Sequence, residues 1–131
     1  MENEQLLNKI RALSLKIADA ASEGLKADGS MIYEKNKDHI DGERHWWVQA
    51  EAVVGFMYAY KNSKNSSYKE KAARLWNYIQ NQIIDTKDGE WIWGRLEDNS
   101  INHKDDKAGF WKCPYHNSRM CMEMIEHFGQ K

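Results

Sequence analysis

At 131 residues, the chain is long enough for one modest domain or for part of a larger one. Hydrophobic residues make up 41% and charged residues 30%, the composition of an ordinary globular protein. The formal net charge of −1 argues against a nucleic-acid-binding surface and against a surface for anionic membranes. We therefore expect neither nucleic acid nor a membrane among the partners.

The N-terminal sequence and the cysteines bear on location. Residues 1–5 are polar, and no basic segment leads into an apolar one, so the sequence predicts neither a signal peptide nor a membrane-spanning segment. The two cysteines, Cys113 and Cys121, are too few for a disulfide framework. The expected location is therefore the reducing cytoplasm.

Two helices are predicted in the first half of the chain. Residues 3–23 form an amphipathic helix, which Gly24 and the pair Asp28-Gly29 end. Its apolar stripe consists of Leu6, Leu7, Ile10, Leu13, Ile17, Ala20 and Ala21. Residues 47–61 are apolar or aromatic on every side, which is typical of a buried helix. A helix of that kind needs other elements to cover all of its faces, and the predicted elements of this chain are too few to do so.

Two further helices are predicted in the second half. Residues 67–85 carry a single apolar stripe, and Ser66 or Ser67 can cap its start. The stripe is Tyr68, Ala72, Leu75, Trp76, Ile79 and Ile83, with Trp76 expected in the core. The last helix runs from about Tyr115 to Phe128, with Pro114 near its first turn. Its predicted buried face is Cys121, Met124, Ile125 and Phe128.

A weak internal repeat organises these elements. The pair Asp28-Gly29 leads to Ile32-Tyr33-Glu34, and sixty positions later Asp88-Gly89 leads to Trp91-Ile92-Trp93. Each unit is an outer helix, a turn, a short extended stretch, a loop and an inner helix. The sequence therefore predicts an all-α fold of two helical hairpins, approximately residues 1–62 and 63–131, with short β-like stretches between four main helices.

Glu51 is the first candidate functional residue. On a helical wheel it shares a face with Trp47 and Tyr58, and it is the only charge inside the apolar body of its helix. An unpaired carboxylate there would cost several kcal/mol, so we expect Glu51 to have a partner or to open onto a cavity. The pattern leaves two roles open: a functional carboxylate, or a structural one that braces a neighbouring loop.

His116 is the second candidate, because it falls in the first turn of the last helix. A helix N-terminus favours the neutral imidazole, and a neutral histidine can act as a general base. A Glu51 carboxylate that accepts the other ring N–H would hold the imidazole and restore its basicity. The commoner role of a lone histidine in this position is in the helix cap.

The neighbouring residues have more than one possible role. Arg119 could bind a sugar hydroxyl, but its spacing favours an ion pair with Glu123. Trp46, Trp47 and Trp111 could stack on pyranose rings, although core packing is the more common role of a tryptophan.

Metal binding is not expected. The spacing Cys113, His116, Cys121, His127 looks like a scrambled zinc knuckle, but on a helix His116 and Cys121 lie about 140° apart and cannot share one ion. His39, His45 and His103 lie in charged loops and are expected to be solvated.

Two segments carry a resemblance to a known family. Trp46–Ala52 and Lys112–Cys121 resemble the two C-terminal signatures of the N-acylglucosamine 2-epimerase superfamily, in its branch of cellobiose and mannobiose 2-epimerases. The resemblance extends over nearly the whole chain. It implies the last third of an (α/α)6 barrel, which agrees with two hairpin units.

The resemblance also implies an activity and the residues behind it. Members of the family invert C2 beside the carbonyl of a reducing sugar, without a cofactor, by moving a proton between two histidines through an enediolate. His116 would be one of these acid/base histidines, Glu51 the carboxylate that orients it, and Trp46 and Trp47 would shape the site for a mono- or disaccharide.

The second histidine, its glutamate and a catalytic arginine of the family lie upstream of the matching part. The resemblance therefore implies a chain that is inactive alone and that pairs with a complementing N-terminal fragment or forms a homo-oligomer. A non-catalytic saccharide-binding module is the alternative. A glycoside hydrolase is less favoured, because hydrolysis usually requires two flanking carboxylates and only Glu51 has a buried setting.

Overall fold

The computed structural model describes residues 2–129. Its elements in chain order are α1 (Glu2–Ser22), β1 (Glu34–Asn36), β2 (His39–Asp41), β3 (Arg44–His45), α2 (Trp46–Ser63), α3 (Ser66–Tyr78), a π-helical turn (Ile79–Ile83), β4 (Gly94–Arg95) and α4 (Tyr115–Phe128). The four predicted helices are therefore confirmed, and the bounds of α4 agree at both ends.

The helix α2 is the centre of the packing. It contacts α1, α3 and α4, and its buried residues include Ala50, Val53, Val54 and Phe56. These side chains join Leu75 and Ile79 in one hydrophobic cluster. The prediction of a buried second helix is confirmed for most of its surface, because its apolar side chains pack against three different helices, whereas Gly55 is exposed.

The repeated Asp-Gly turns share a glycine with positive φ, although the second turn is one residue longer. Gly29 has a φ of 91° and Gly89 a φ of 73°, in the region that only glycine adopts without strain. Each turn closes an antiparallel bridge, from Leu25 to Met31 in the first half and from Ile84 to Trp91 in the second. The internal repeat thus corresponds to a repeated structural unit.

Short strands lock the start of α2 to the second half of the chain. β3 pairs antiparallel with β4, and the backbone N–H of Trp46 donates to the carbonyl of Trp93 at 2.9 Å. The buried Arg44 donates to the carbonyls of Leu96 and Glu97. Since Trp46 begins α2, these bonds fix where the helix bearing Glu51 starts.

Three local predictions on α3 were wrong in detail. Its N-cap is Asn65, whose side chain accepts from the N–H of Ser67, and neither serine serves as the cap. The helix does not continue in α form to residue 85, because its last five residues widen into the π-helical turn. Trp76 is 37% exposed, since no other described element covers its side of the helix.

Apolar faces of α1 and α4 remain open. Five residues of the α1 stripe are about half exposed or more: Leu6, Leu7, Ile10, Leu13 and Ile17. On α4 the predicted buried face was wrong for Cys121, which is exposed, and for Ile125, which is 75% exposed, whereas Met124 and Phe128 are partly buried. The buried residues of α4 are Asn117 and Met120. Both open faces lie where the described part of the chain brings no further helix.

Gln49 offers a test of how the first hairpin is held. Its buried amide accepts from the N–H of Met31 at 2.8 Å and donates to the carbonyl of Met31 at 2.7 Å. Gln49→Leu leaves both backbone groups without a partner, so we expect a loss of about 2–4 kcal/mol in the free energy of unfolding by urea. Gln5→Leu, at an exposed position of α1, is the control and should change little; equal stability of both variants would contradict this role.

Candidate active site

Glu51 and His116 meet between α2 and α4. The Oε1 atom of Glu51 lies 2.9 Å from Nδ1 of His116. Both side chains are about one-third exposed, at 33% and 32%. Because a carboxylate has no hydrogen to donate, this contact places the ring hydrogen on Nδ1 and leaves the lone pair on Nε2. The expectation that the single carboxylate of α2 has a partner is therefore confirmed.

Arg119 binds the other oxygen of the same carboxylate. Its Nη1 donates to Oε2 of Glu51 at 2.5 Å, whereas Nη2 lies 3.9 Å from Oε1 of Glu123. The predicted ion pair with Glu123 is therefore present at 3.9 Å, but the sequence did not show the closer contact with Glu51, which depends on the packing of α4 on α2. The hydrogen bond to Glu51 raises the pKa of Arg119 above its ordinary value.

Glu123 and Tyr58 extend this arrangement along the two helices. The hydroxyl of Tyr58 donates to Oε2 of Glu123 at 2.6 Å, and that bond raises the pKa of the tyrosine. Nε2 of His127 lies 3.7 Å from the same oxygen. We use the term Glu51 network for five residues, Tyr58 and Glu51 on α2 and Glu123, Arg119 and His116 on α4.

The tryptophans beside His116 differ in accessibility. The ring of Trp47 lies 5.7 Å from that of His116 and borders an open groove. Trp46 is only 3% exposed, 4.7 Å from the ring of Trp93 and 5.1 Å from Nζ of Lys112, so its ring has no open face for a sugar. Trp111 is 81% exposed on the loop before α4. Trp46 can shape the site only through its neighbours.

His45 and Tyr33 belong to the same surroundings, although the sequence did not point to them. The two rings lie 4.3 Å apart, and Nε2 of His45 lies 3.0 Å from Oε2 of Glu43. The prediction of a solvated His45 was wrong, because β3 inserts its side chain between Tyr33 and Trp93. His39 and His103 are exposed, as expected.

A groove runs between α1 and α2 beside these residues. Its volume is about 960 Å³, and its lining includes Trp47, Glu51, Tyr58 and Tyr33. The predicted shared face of Trp47, Glu51 and Tyr58 is therefore confirmed, and Glu51 has both a partner and access to an open space. The groove wall is mainly apolar, and Glu51 with the aromatic rings beside it supplies the polar and stacking groups that a hydroxylated ligand needs.

The loop before α4 is anchored by a buried lysine. Nζ of Lys112 donates to the carbonyls of Lys107 and Trp91 and lies 3.3 Å from Oε1 of Glu90. Burial lowers the pKa of Lys112. Nδ2 of Asn117 donates to the same Glu90 oxygen, at 3.0 Å. These bonds fix the first turn of α4, and with it His116.

Glu90 provides a test of this anchor. Burial alone would raise the pKa of Glu90. Hydrogen bonds from the N–H of Trp91 and from Lys112 outweigh this effect and hold the pKa below its ordinary value. Glu90→Gln leaves Lys112 without a negative partner, and we expect a loss of about 2 kcal/mol in unfolding free energy at pH 7, since Glu90 is partly exposed.

The effect should depend on pH in a defined direction. A carboxylate with a lowered folded pKa stabilises the fold above its unfolded pKa, and this contribution is lost as the pH falls through the folded value. The difference between Glu90→Gln and the parent chain in urea unfolding should therefore shrink below about pH 4. Glu4→Gln, exposed on α1, is the control; a difference that grows in acid would contradict the assignment.

Residues 2–129 contain neither a cluster of metal-ligating side chains nor a helix that could span a membrane. No three or more His, Cys, Asp or Glu side chains in this part of the chain are grouped so as to hold a metal ion. None of its helices combines the length and the apolar character needed to cross a bilayer.

The arrangement can move a proton. With Nδ1 bound to Glu51, Nε2 of His116 is the free basic atom of the ring. The carboxylate stabilises the imidazolium that forms when Nε2 accepts a proton, and Arg119 keeps the carboxylate in place. Such a base can take a proton from a weak acid that is held within reach of Nε2.

Comparison with solved structures gives the fold. The crystal structure of a sugar epimerase from a ruminal bacterium has a TM-score of 0.91 at 38% identity, over 99% of this chain and 34% of that one. The cellobiose 2-epimerase of Bacillus thermoamylovorans B4167 gives 0.80 at 41% identity, over 86% and 29%. The helices thus form part of an (α/α)6 barrel.

Sequence comparison agrees with the structural one. The cellobiose 2-epimerase of Bacteroides fragilis is 49% identical over 122 residues, which are 92% of this chain and 31% of that protein. The chain thus spans about a third of the length of the curated relatives that it matches. The sequence model for N-acylglucosamine 2-epimerase (GlcNAc 2-epimerase) matches residues 1–119. This chain belongs to the N-acylglucosamine 2-epimerase family.

Proposed function

We propose that this chain supplies the C-terminal part of a sugar 2-epimerase, in which His116 transfers the proton at C2 of a reducing sugar. The observation that carries the proposal is the 2.9 Å contact of His116 with Glu51, a residue that lines an open groove. Removal of the C2 proton gives an enediolate, and return of a proton to the opposite face gives the epimer. The carbonyl of the sugar acidifies the C–H bond, so the residues need only hold and move protons.

The substrate class follows from the site and the relatives together. Trp47 presents a partly exposed ring beside His116, and Trp111 presents a fully open one nearby in sequence. Indole faces stack on the apolar faces of pyranose rings. Several relatives are named cellobiose 2-epimerase and one is named D-mannose isomerase. We therefore propose a gluco- or manno-configured sugar, with a β-1,4-linked disaccharide as the first choice.

The proposed reaction needs a second acid/base group on the other face of the sugar. Among the described residues that line the groove, Glu51 is the carboxylate paired with a histidine, and no histidine is itself part of the lining. We propose that the other group lies in the part of the family barrel that this chain does not match. The open apolar faces of α1 and α4 are then the surfaces that join the remaining hairpins.

Deuterium exchange at C2 of cellobiose tests the proposal. A chimera in which this chain replaces the matching part of the Bacteroides fragilis relative should incorporate solvent deuterium and form the C2 epimer. The chain alone should neither incorporate deuterium nor form the epimer, because it lacks an acid/base group for one face of the sugar. A positioned acid or base typically contributes about 10²–10⁴-fold to the rate. Exchange by the chain alone would contradict the claim of inactivity, and a folded but inactive chimera would contradict the proposed function.

A saccharide-binding module is the second candidate. The groove with Trp47 favours it, because binding requires stacking but no second base. Tryptophan fluorescence during titration of the chain with cellobiose and mannobiose separates the two. Saturable quenching together with an inactive chimera would favour a binding module.

A further inference from the structure

Arg119 has a choice between two carboxylates. Glu123 lies one turn further along α4, at the spacing that favours an intrahelical ion pair. Glu51 lies on the other helix, and it is the one that Arg119 contacts at hydrogen-bond distance, 2.5 Å against 3.9 Å. Something must therefore offset the local preference for Glu123.

Tyr58 is the group in contact with that competitor. Its hydroxyl donates to Oε2 of Glu123 at 2.6 Å, a short bond to a charged acceptor. This bond fixes the rotamer of Glu123 and satisfies part of its charge, which leaves Oε1 outside hydrogen-bond distance of the guanidinium. Three other charged or titratable groups face the pair: His127 and Glu126 on α4, and Lys61 on α2.

We propose that Tyr58 is a positioning residue that, by occupying Glu123, directs Arg119 to Glu51 and so keeps the hydrogen of His116 on Nδ1. The inference rests on the proposed role of His116 in proton transfer, which requires Nε2 to be free. It adds that the tautomer depends on a tyrosine two helical turns away from Glu51 along α2. Tyr58 does not itself touch the imidazole.

The proposal predicts an unusual pattern among three variants. In Tyr58→Phe, Glu123 becomes free to take Arg119, and Glu51 loses its second partner. In Glu123→Gln the competitor is neutral, so Arg119 stays with Glu51. In the double variant Tyr58→Phe/Glu123→Gln the competitor is again absent, so the arrangement should return. A purely structural role of the Tyr58–Glu123 bond would instead make the double variant at least as perturbed as either single one.

Nitrogen NMR of the intact chain gives the readout. Long-range ¹H–¹⁵N spectra separate the two tautomers of His116, and Tyr58→Phe should raise the share of the Nε2–H form about tenfold, the order of effect typical of outer-shell partners. The double variant should restore the original ratio within about twofold. Tyr60→Phe, on the same helix, is the matched control. Thermal melts identify any variant that fails to fold.

The outcomes separate this inference from the proposed function. An unchanged tautomer ratio in folded Tyr58→Phe would overturn the inference, and so would a double variant no better than Tyr58→Phe. If Tyr58→Phe does not fold, the tautomer ratio of His116 in Glu123→Gln is the deciding measurement. A shift toward the Nε2–H form in Glu123→Gln would overturn the inference, and an unchanged ratio would support it. The activity of the chimera tests the function, and none of these NMR results depends on it.

Discussion

Replacing His116 by glutamine in the chimera should lower the rate of C2 epimerisation at least about 10³-fold, near the upper part of the range for a positioned acid or base. Glutamine retains a similar size and can still hydrogen-bond to Glu51, but it cannot take a proton. The KM for cellobiose should change little, because the ring of Trp47 and the groove remain. Steady-state kinetics with separation of the two epimers measures both quantities.

The control for this prediction is another histidine of the same chain. His103 lies exposed in the loop before α4, and His103→Gln should keep full activity. A His116→Gln chimera that retained more than about a tenth of the parent rate would remove His116 from the chemistry. In that case the contact with Glu51 would be a structural link between α2 and α4, since no side chain caps the start of α4.

Glu51→Gln should lower the same rate about 10²-fold, the upper end of what outer-shell partners of a histidine contribute. The amide oxygen can still accept from Nδ1, but it no longer stabilises the imidazolium by charge, and Arg119 is released to Glu123. Stability should fall by only about 1 kcal/mol, because the pair is one-third exposed. Kinetics and urea unfolding of the same variant measure the two effects.

The matched control is Glu70→Gln, which removes a charge from an exposed position of α3. It should alter neither the rate nor the unfolding free energy. A Glu51→Gln variant with a large loss of stability and no specific loss of rate in the folded fraction would identify Glu51 as a structural carboxylate, the other role that its position on the helix allowed.

The helices could be predicted because the spacing of apolar residues within each segment indicates a helix without knowledge of its neighbours. Apolar spacing gave α1 to α4 within about two residues at most ends, and Pro114 marked the N-cap of α4. The shared face of Trp47, Glu51 and Tyr58 followed from the same periodicity. The π-helical turn was missed, because an extra residue in a turn leaves no signal in an apolar stripe.

The partners across helices were harder to predict. Arg119 was assigned to Glu123 because that spacing is visible along one helix, whereas its contact with Glu51 depends on how α4 packs on α2. Lys112 gave no sign of burial, since its partners are backbone carbonyls of a loop. Trp76 was expected in the core but is 37% exposed, whereas Trp46, whose role the sequence left open, is buried. Burial depends on which neighbouring elements are present.

The most direct test of His116 as a proton-transfer group resolves the two epimers. In deuterated water, the intact chimera should exchange the C2 hydrogen of cellobiose and of its C2 epimer. His116→Gln should suppress exchange from one epimer at least about a hundredfold more than from the other, because each base serves one face of the sugar. Equal exchange from both epimers at the parent rate would contradict the account.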